Sequence, residues 1–242
     1  MAILSGNEIL KQYERNRIVI EPFERTKLNE KGNSYDVTLG DQIGILRSYE
    51  TVNSLRIWAD LFEQTAGMGH AWAKTLKRQA EALDNSPCPV VLDPAIPLND
   101  PLIVADAYAD DPENDGRGWT DKSNGEVSPM FVMVPGVLYL AHTHERCGSD
   151  FYIPILHGKS SLARLGLSIH LTAGFGEAGF KAQWTLEMTC VHPIMLYPRM
   201  RIGQVEFETV EGAIQQYEGN YKDQVGPVGS KMHRYFKDGK PI

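Results

Sequence analysis

Between Phe180 and Thr189 the side chains alternate without a slip. Phe180, Ala182, Trp184, Leu186 and Met188 take one parity, and Lys181, Gln183, Thr185, Glu187 and Thr189 the other. A two-residue period fits a strand with one face in a core and one in water, and it fits no helix. It puts Glu187 on the polar face. Val205, Phe207 and Thr209 alternate with Gln204, Glu206 and Glu208 in the same way. Short strands of this kind, cut by Pro135-Gly136, Pro193, Pro198 and Gly203, predict a mainly β chain with an antiparallel sandwich or barrel-like core.

Upstream, Ser5 and Glu8 form an S-x-x-E capping box ahead of Ile9, Leu10 and Tyr13, which predicts a short helix. Ile18 to Phe23 and Ser34 to Gly40 read as strands. From about Ser54 to Leu83 the period changes to 3.6, through Leu55, Trp58, Leu61 and Phe62 and then Trp72, Leu76, Ala80 and Leu83. Gly67-Met68-Gly69 interrupts it, so two helices joined by a hinge are expected. Asp84 to Glu126 reads as loop-rich, with Asn, Asp and Gly clustered around Asp110 to Gly118. The expected organisation is one domain over 1–242, carrying a helical and acidic-loop insert at about 51–130.

Composition narrows the class. The chain has 242 residues, 42% hydrophobic and 23% charged, enough for one sizeable core and an elaboration. No apolar run is long enough for a bilayer, and Met1 to Arg17 mixes charge throughout, so neither a membrane span nor secretion is expected. Cys88, Cys147 and Cys190 are scattered without a C-x-x-C pair, which suits reduced thiols in a cytoplasmic protein. A formal net charge of −7 argues against a nucleic-acid-binding stripe but allows a local basic pocket for a small anion.

Such a pocket has a candidate in Gly158-Lys159-Ser160-Ser161-Leu162-Ala163-Arg164-Leu165-Gly166-Leu167. Two hydroxyls flanked by Lys159, with Arg164 four residues after Ser160, gather donors around one turn in a way that suits phosphate oxygens. A helix N-terminus capped by Ser160 is the plainer alternative.

These ten residues resemble the signature of the dCTP deaminase family, within the dCTP deaminase/dUTPase superfamily. The resemblance runs on through His170-Leu171-Thr172-Ala173-Gly174-Phe175 to Thr185-Leu186-Glu187. It resumes at Pro198 to Gln204 and at Tyr217 to Pro227. Ile18 to Phe23, Ser34 to Gly40, and Pro135-Gly136 followed by Thr143-His144-Glu145 are similar to family elements in the same order. The insert lies outside it.

The resemblance implies a dUTPase-like antiparallel β-sandwich or distorted barrel, a homotrimer with active sites shared between subunits, and hydrolytic deamination of dCTP to dUTP and ammonia. It implies Glu187 as the proton shuttle. Ser160, Arg164 and the Ala173 carbonyl would hold the attacking water and the exocyclic amine. Lys159, Ser160 and Ser161, with Leu162 and Ala163, would form the phosphate turn. Thr185, Leu186 and Glu187 would border the base, Glu177 would serve the deoxyribose, and Tyr217, Lys222 and Gln224 would reach the triphosphate. Magnesium would arrive with that triphosphate, and dTTP would be a feedback inhibitor, with the His170 neighbourhood involved.

The residue types agree with metal-free water activation. A zinc deaminase needs an H-x-E…P-C-x-x-C set, and Pro87-Cys88 is followed by no cysteine at that spacing. A glutamate can take a proton from water and return it to departing ammonia when its pKa suits both steps. His142 and His144 share a strand face, but without a third ligand they read as structural. Asp111 to Gly116 faintly resembles a calcium loop, but Lys122 stands where its bidentate glutamate should be.

The pattern is broken in three places. Gly176-Glu177-Ala178 replaces the family's Ile-Asp-Pro, Asn220 replaces a triphosphate-binding lysine, and His157 replaces an acidic residue. Losing one charge-assisted phosphate contact costs on the order of 1.5–3 kcal/mol, so the preferred nucleotide is left open. Alternatives are therefore a bifunctional enzyme carrying dCTP to dUMP and pyrophosphate, a deaminase for a modified or differently phosphorylated cytosine nucleotide, and a non-catalytic nucleotide sensor.

Overall fold

The structure is a computed structural model that describes residues 2–65, 67–85, 89–90, 92–97, 101–108, 118–238 and 240–242. Helix α1 (Gly6–Glu14) precedes strands β1 (Val19–Glu21), β2 (Tyr35–Thr38) and β3 (Gln42–Ile45). Helices α2 (Tyr49–Glu63) and α3 (Gly69–Asp84) lead to β4 (Leu102–Tyr108), β5 (Gly118–Asp121), β6 (Val127–Ser128) and β7 (Phe131–Met133). Then come β8 (Tyr139–Gly148), β9 (Tyr152–Gly158), the one-turn helix α4 (Ser160–Ala163) and β10 (Leu167–Ser168). The chain continues with β11 (Lys181–Cys190), β12 (Ile194–Leu196), β13 (Arg201–Thr209) and the short pair β14 (Phe236–Lys237) and β15 (Lys240–Pro241).

The chain divides into two compact units. The first comprises Met1–Asp41, Ala141–Glu187 and Arg199–Gly226, and the second Gln42–Leu140, Met188–Pro198 and Pro227–Ile242. In the first unit β13 lies between β2 and β9, antiparallel to both, with Gly203 opposite Gly158 and Thr209 opposite Tyr152. β10, β11 and β8 are neighbours, and β1 pairs antiparallel with β8. Tyr35, Val37, Leu156, Leu186, Val205 and Phe207 fill the core. Along β11 half-buried and buried positions alternate strictly, as the sequence predicted. At the N-terminus the Ser5 hydroxyl accepts from the Glu8 N–H at 3.3 Å, capping α1.

A buried charge network ties these strands. Glu145 is fully buried, and its Oε1 accepts from Lys27 Nζ at 2.7 Å and Thr38 Oγ1 at 2.8 Å. Its Oε2 accepts from the Thr38 N–H at 2.7 Å. A carboxylate withdrawn from water is tolerable only when it is paired and saturated in this way.

In the second unit α2 and α3 form a helical hairpin, hinged at Gly67, whose φ is +76°. Ser48 caps α2 by accepting from the Thr51 N–H at 3.2 Å. Val52, Leu55 and Ala59 of α2 and Leu76, Ala80 and Leu83 of α3 are buried. The stretch from Asp84 to Glu126, read as loop-rich, also carries strands: β4 pairs with β3 and with β5 in an antiparallel meander. The run Leu102-Ile103-Val104-Ala105 has strand character, and long-range pairing overrides the turn residues around it. Residues 110–117 of the expected acidic loop lie outside the described residues, as does Cys88.

Lys27→Met would leave Glu145 buried without its counter-ion. Urea unfolding is expected to show a loss of about 3–5 kcal/mol. Unchanged stability would mean that Thr38 alone suffices.

Candidate active site

Every residue singled out for function lies in the first unit. Glu187 sits near the end of β11, half-buried beside the buried Leu186 and Met188. Burial pushes its carboxyl above the ordinary glutamate value, partly opposed by hydrogen bonds from its own N–H and that of Leu171. This is the state required of a group that must accept a proton and later release it.

The segment from Ala173 to Ala178 lies clamped along β9. The Leu156 N–H donates to the Gly174 carbonyl at 2.7 Å, and the Gly176 N–H to the Pro154 carbonyl at 2.9 Å. Ala173, Phe175 and Glu177 are exposed, while Gly174, Gly176 and Ala178 are buried. The buried positions are small because their space is taken. A Cβ on Gly174 would stand 2.5 Å from the Leu156 oxygen, and one on Gly176 would stand 2.7 Å from the Trp184 ring tip. Gly176, one of the departures in the sequence, thus follows from Trp184 together with Pro154, whose ring carbon would stand 2.9 Å from that Cβ. The Glu177 carboxylate has no partner among the described residues.

Lys159 supplies the N-cap position of α4, and no side chain caps the turn. The reading of Ser160 as a cap is therefore corrected: Ser160 and Ser161 are exposed, and neither hydroxyl has a partner among the described residues. Arg164 is exposed and donates to the Ser160 carbonyl at 3.1 Å, while Leu162 is half-buried and Ala163 exposed. Asp36, which sequence reasoning left without a role, organises the flank of this turn. Its carboxylate accepts from Lys159 Nζ at 2.6 Å and from Arg201 at 3.0 Å. Two cations against one carboxylate leave local positive charge, which favours an anion. An acidic residue between Tyr35 and Val37 in a short, fully buried strand was the available signal.

The C-terminal segment docks on β11 of its own chain. Gln224 Nε2 donates to the Gln183 carbonyl at 2.9 Å, and the Gly226 N–H to Gln183 Oε1 at 2.8 Å. The Tyr217 ring meets Phe180 edge-on at 5.8 Å, and Phe180 meets Trp184 at 5.0 Å. Lys222 is exposed and paired with Glu218 at 2.7 Å, and His157 pairs with Glu206 at 2.9 Å. The two histidines on β8 are separately engaged. His142 holds Asp41 through Nε2 at 2.8 Å and the Thr143 carbonyl through Nδ1 at 2.9 Å, and Arg199 donates to His144 Nδ1 at 2.5 Å. Asp41 is drawn down to about 2, first by its hydrogen bond to His142. Among the described residues no three His, Cys, Asp or Glu side chains are grouped to hold a metal ion.

The structure thus brings Glu187 together with Thr185 and Leu186, and Gln224 onto the same strand, with Tyr217 against Phe180 just before it. No hydrogen bond among the described residues joins Glu187 to Ser160 or Arg164 within one chain.

The sequence has relatives among known proteins. The model of the dCTP deaminase-like family matches residues 104–210. A Clostridium beijerinckii protein named "dCTP deaminase, dUMP-forming" is 32% identical over 236 residues, covering 97% of this chain and 99% of that protein. The chain belongs to the dCTP deaminase family. A protein of the same name from Cytophaga hutchinsonii is 46% identical over 123 residues, 48% of this chain and 71% of that protein. The crystal structure of 2'-deoxycytidine 5'-triphosphate deaminase from Agrobacterium tumefaciens matches with a TM-score of 0.48 and 15% identity, over 86% of this chain and 48% of that one. Among the described residues no helix is long and apolar enough to cross a membrane.

Gly176→Ala is expected to cost about 1–3 kcal/mol in denaturant unfolding, because its Cβ meets the Trp184 ring. The cost should shrink in a Trp184→Val background, where the ring tip is gone. Equal costs in both backgrounds would show that the ring is not the constraint.

Proposed function

We propose that the protein hydrolyses the 4-amino group of dCTP, with Glu187 as the proton carrier. The observation that carries the reading is the carboxyl of Glu187, raised by burial and held on the polar face of β11, at the end of a Thr-Leu-Glu run. Water adds to C4 of the pyrimidine as Glu187 takes its proton. The same carboxyl then delivers a proton to the departing amine, so dCTP and water give dUTP and ammonia. Ser160, Arg164 and the Ala173 carbonyl orient the water and the amine, and the guanidinium stabilises charge developing at the ring.

Within one chain Ser160 and Arg164 are exposed and do not bond to Glu187. This supports a homotrimer in which the turn of one subunit faces β11 of the next. Lys159, Ser160 and Ser161, with the backbone of Leu162 and Ala163, then receive the triphosphate, which enters with its magnesium. Tyr217, Lys222 and Gln224 close over it, and Thr185 and Leu186 border the base. dTTP, sharing the triphosphate and deoxyribose, would compete for the same groups.

The names of the relatives from Clostridium beijerinckii and Cytophaga hutchinsonii favour a second step, from dUTP to dUMP and pyrophosphate. Glu177, exposed and without a partner among the described residues, is the carboxylate available to it, one methylene longer than the aspartate that the family carries there.

Glu187→Gln is expected to lower dCTP turnover by about 10²–10⁴-fold without loss of fold. Wild-type turnover in that variant would remove the assignment. Because burial raises Glu187, activity should rise with pH through an acid limb lying above the ordinary glutamate value of 4.5. An acid limb in kcat/KM at or below that value would contradict it.

Chromatography of products from dCTP and magnesium separates the two end points. dUMP with pyrophosphate is expected, and dUTP alone would limit the enzyme to deamination. Tight dCTP binding without any product would favour a sensor.

A further inference from the structure

Residues 217–226, which carry Tyr217, Lys222 and Gln224, lie along β11 and the residues that lead into it. At one end the Tyr217 N–H donates to the Ala178 carbonyl at 2.8 Å. The approach there is close, since a Cβ on Gly179 would stand 2.6 Å from the Tyr217 nitrogen. At the other end Gln224 and Gly226 both meet Gln183. Between the two ends the segment folds on itself. The Tyr221 N–H donates to the Tyr217 hydroxyl at 3.2 Å, and the Lys222 N–H to the Gly219 carbonyl at 3.3 Å. Arg146 of β8 stands 3.7 Å from the Asp223 carboxylate.

Gln183 is where three parts of the chain meet. Its Nε2 donates to the His144 carbonyl of β8 at 3.2 Å, and its Oε1 accepts from the Gly226 N–H at 2.8 Å. Its own carbonyl accepts from Gln224 Nε2 at 2.9 Å. A carbonyl only accepts and an N–H only donates, so a single orientation of the amide serves both side-chain neighbours. A carboxylate would bring no donor to His144, and an apolar side chain would bring nothing to either. Gln183 also shares its strand parity with Glu187. Four residues at about 3.3 Å each put the two about 13 Å apart on one face of β11.

We propose that Gln183 is a positioning residue for the triphosphate. By pinning the 217–226 segment to the strand that carries Glu187, it keeps Tyr217 and Gln224 placed to receive the substrate in the same subunit as the proton carrier. The proposal rests on the deaminase reading in taking dCTP as the ligand. Gln183 acts on binding and not on the proton transfers, because the segment it holds serves the phosphates and not C4 of the base. A segment docked for only part of the time binds its ligand with an affinity reduced by that fraction.

Gln183→Met, close in volume, removes both side-chain hydrogen bonds and is tested in two ways. Calorimetry with dCTP and magnesium, in a Glu187→Gln background that prevents turnover, is expected to show affinity about tenfold weaker than Glu187→Gln alone. In the otherwise unaltered chain KM for dCTP should rise by a similar factor, with kcat within about threefold and its acid limb in place. A merely structural role has another signature, since loss of folded protein lowers kcat and leaves KM unchanged. That result, or unchanged dCTP affinity in the folded variant, would overturn the proposal. Should Gln183→Met fail to fold, Gln183→Thr carries the same test, threonine being a strong strand former. If the parent protein binds dCTP without turning it over, the deaminase reading falls and the calorimetric comparison still decides the role of Gln183. A parent protein that binds no dCTP overturns both.

Discussion

The pleat of β11 governs the site. Each residue of a strand must face one side or the other, so burying Trp184 and Leu186 leaves Glu187 only the opposite face. A slip by one residue would put Glu187 in the core and Leu186 in water. Hydrogen bonds from side chains and backbone fix the register. The Trp184 N–H donates to Thr143 Oγ1 at 2.9 Å, its indole donates to the Cys147 carbonyl at 3.3 Å, and Gln183 Nε2 donates to the His144 carbonyl at 3.2 Å. The raised pKa of Glu187 is a consequence of where this register leaves it, at a half-buried position on an otherwise polar face.

Two other devices arrange the remaining candidate groups. The glycines at 174 and 176 let the backbone press onto β9, which turns Ala173 and Glu177 outward. Asp36, buried on β2, anchors Lys159 and Arg201 together, so the turn of α4 begins from a fixed charged base. Neither device touches Glu187 within the chain. The proposed chemistry accordingly depends on a neighbouring subunit to bring the donor turn and the strand glutamate within a water's reach.

The sequence was most legible where a physical period is strict. The alternation of β11 and the two helices each reappear in the structure, although Leu61, read onto the apolar face of the first helix, is exposed. Leu102 to Ala105 was lost among turn-forming neighbours, since its strand exists only through pairing with β3 far away in the chain. Gly176 stood out as a departure from the family pattern without a cause, because the cause is the Trp184 ring packed against it in space. Asp36 could be seen but not interpreted, as its two cations come from residues more than a hundred positions away. The helical and meander-bearing second unit had no motif to name its chemistry.

Subunit complementation tests the shared site most directly. Ser160→Ala and Glu187→Gln proteins, each inactive alone, are mixed, dissociated and reassembled, and dCTP deamination is then measured. Activity is expected to return, because some interfaces in mixed assemblies would pair an intact Ser160 with an intact Glu187 from different chains. If mixed assemblies form and remain inactive, each site is built within a single chain and the account of Glu187 acting with a neighbour's Ser160 and Arg164 is wrong.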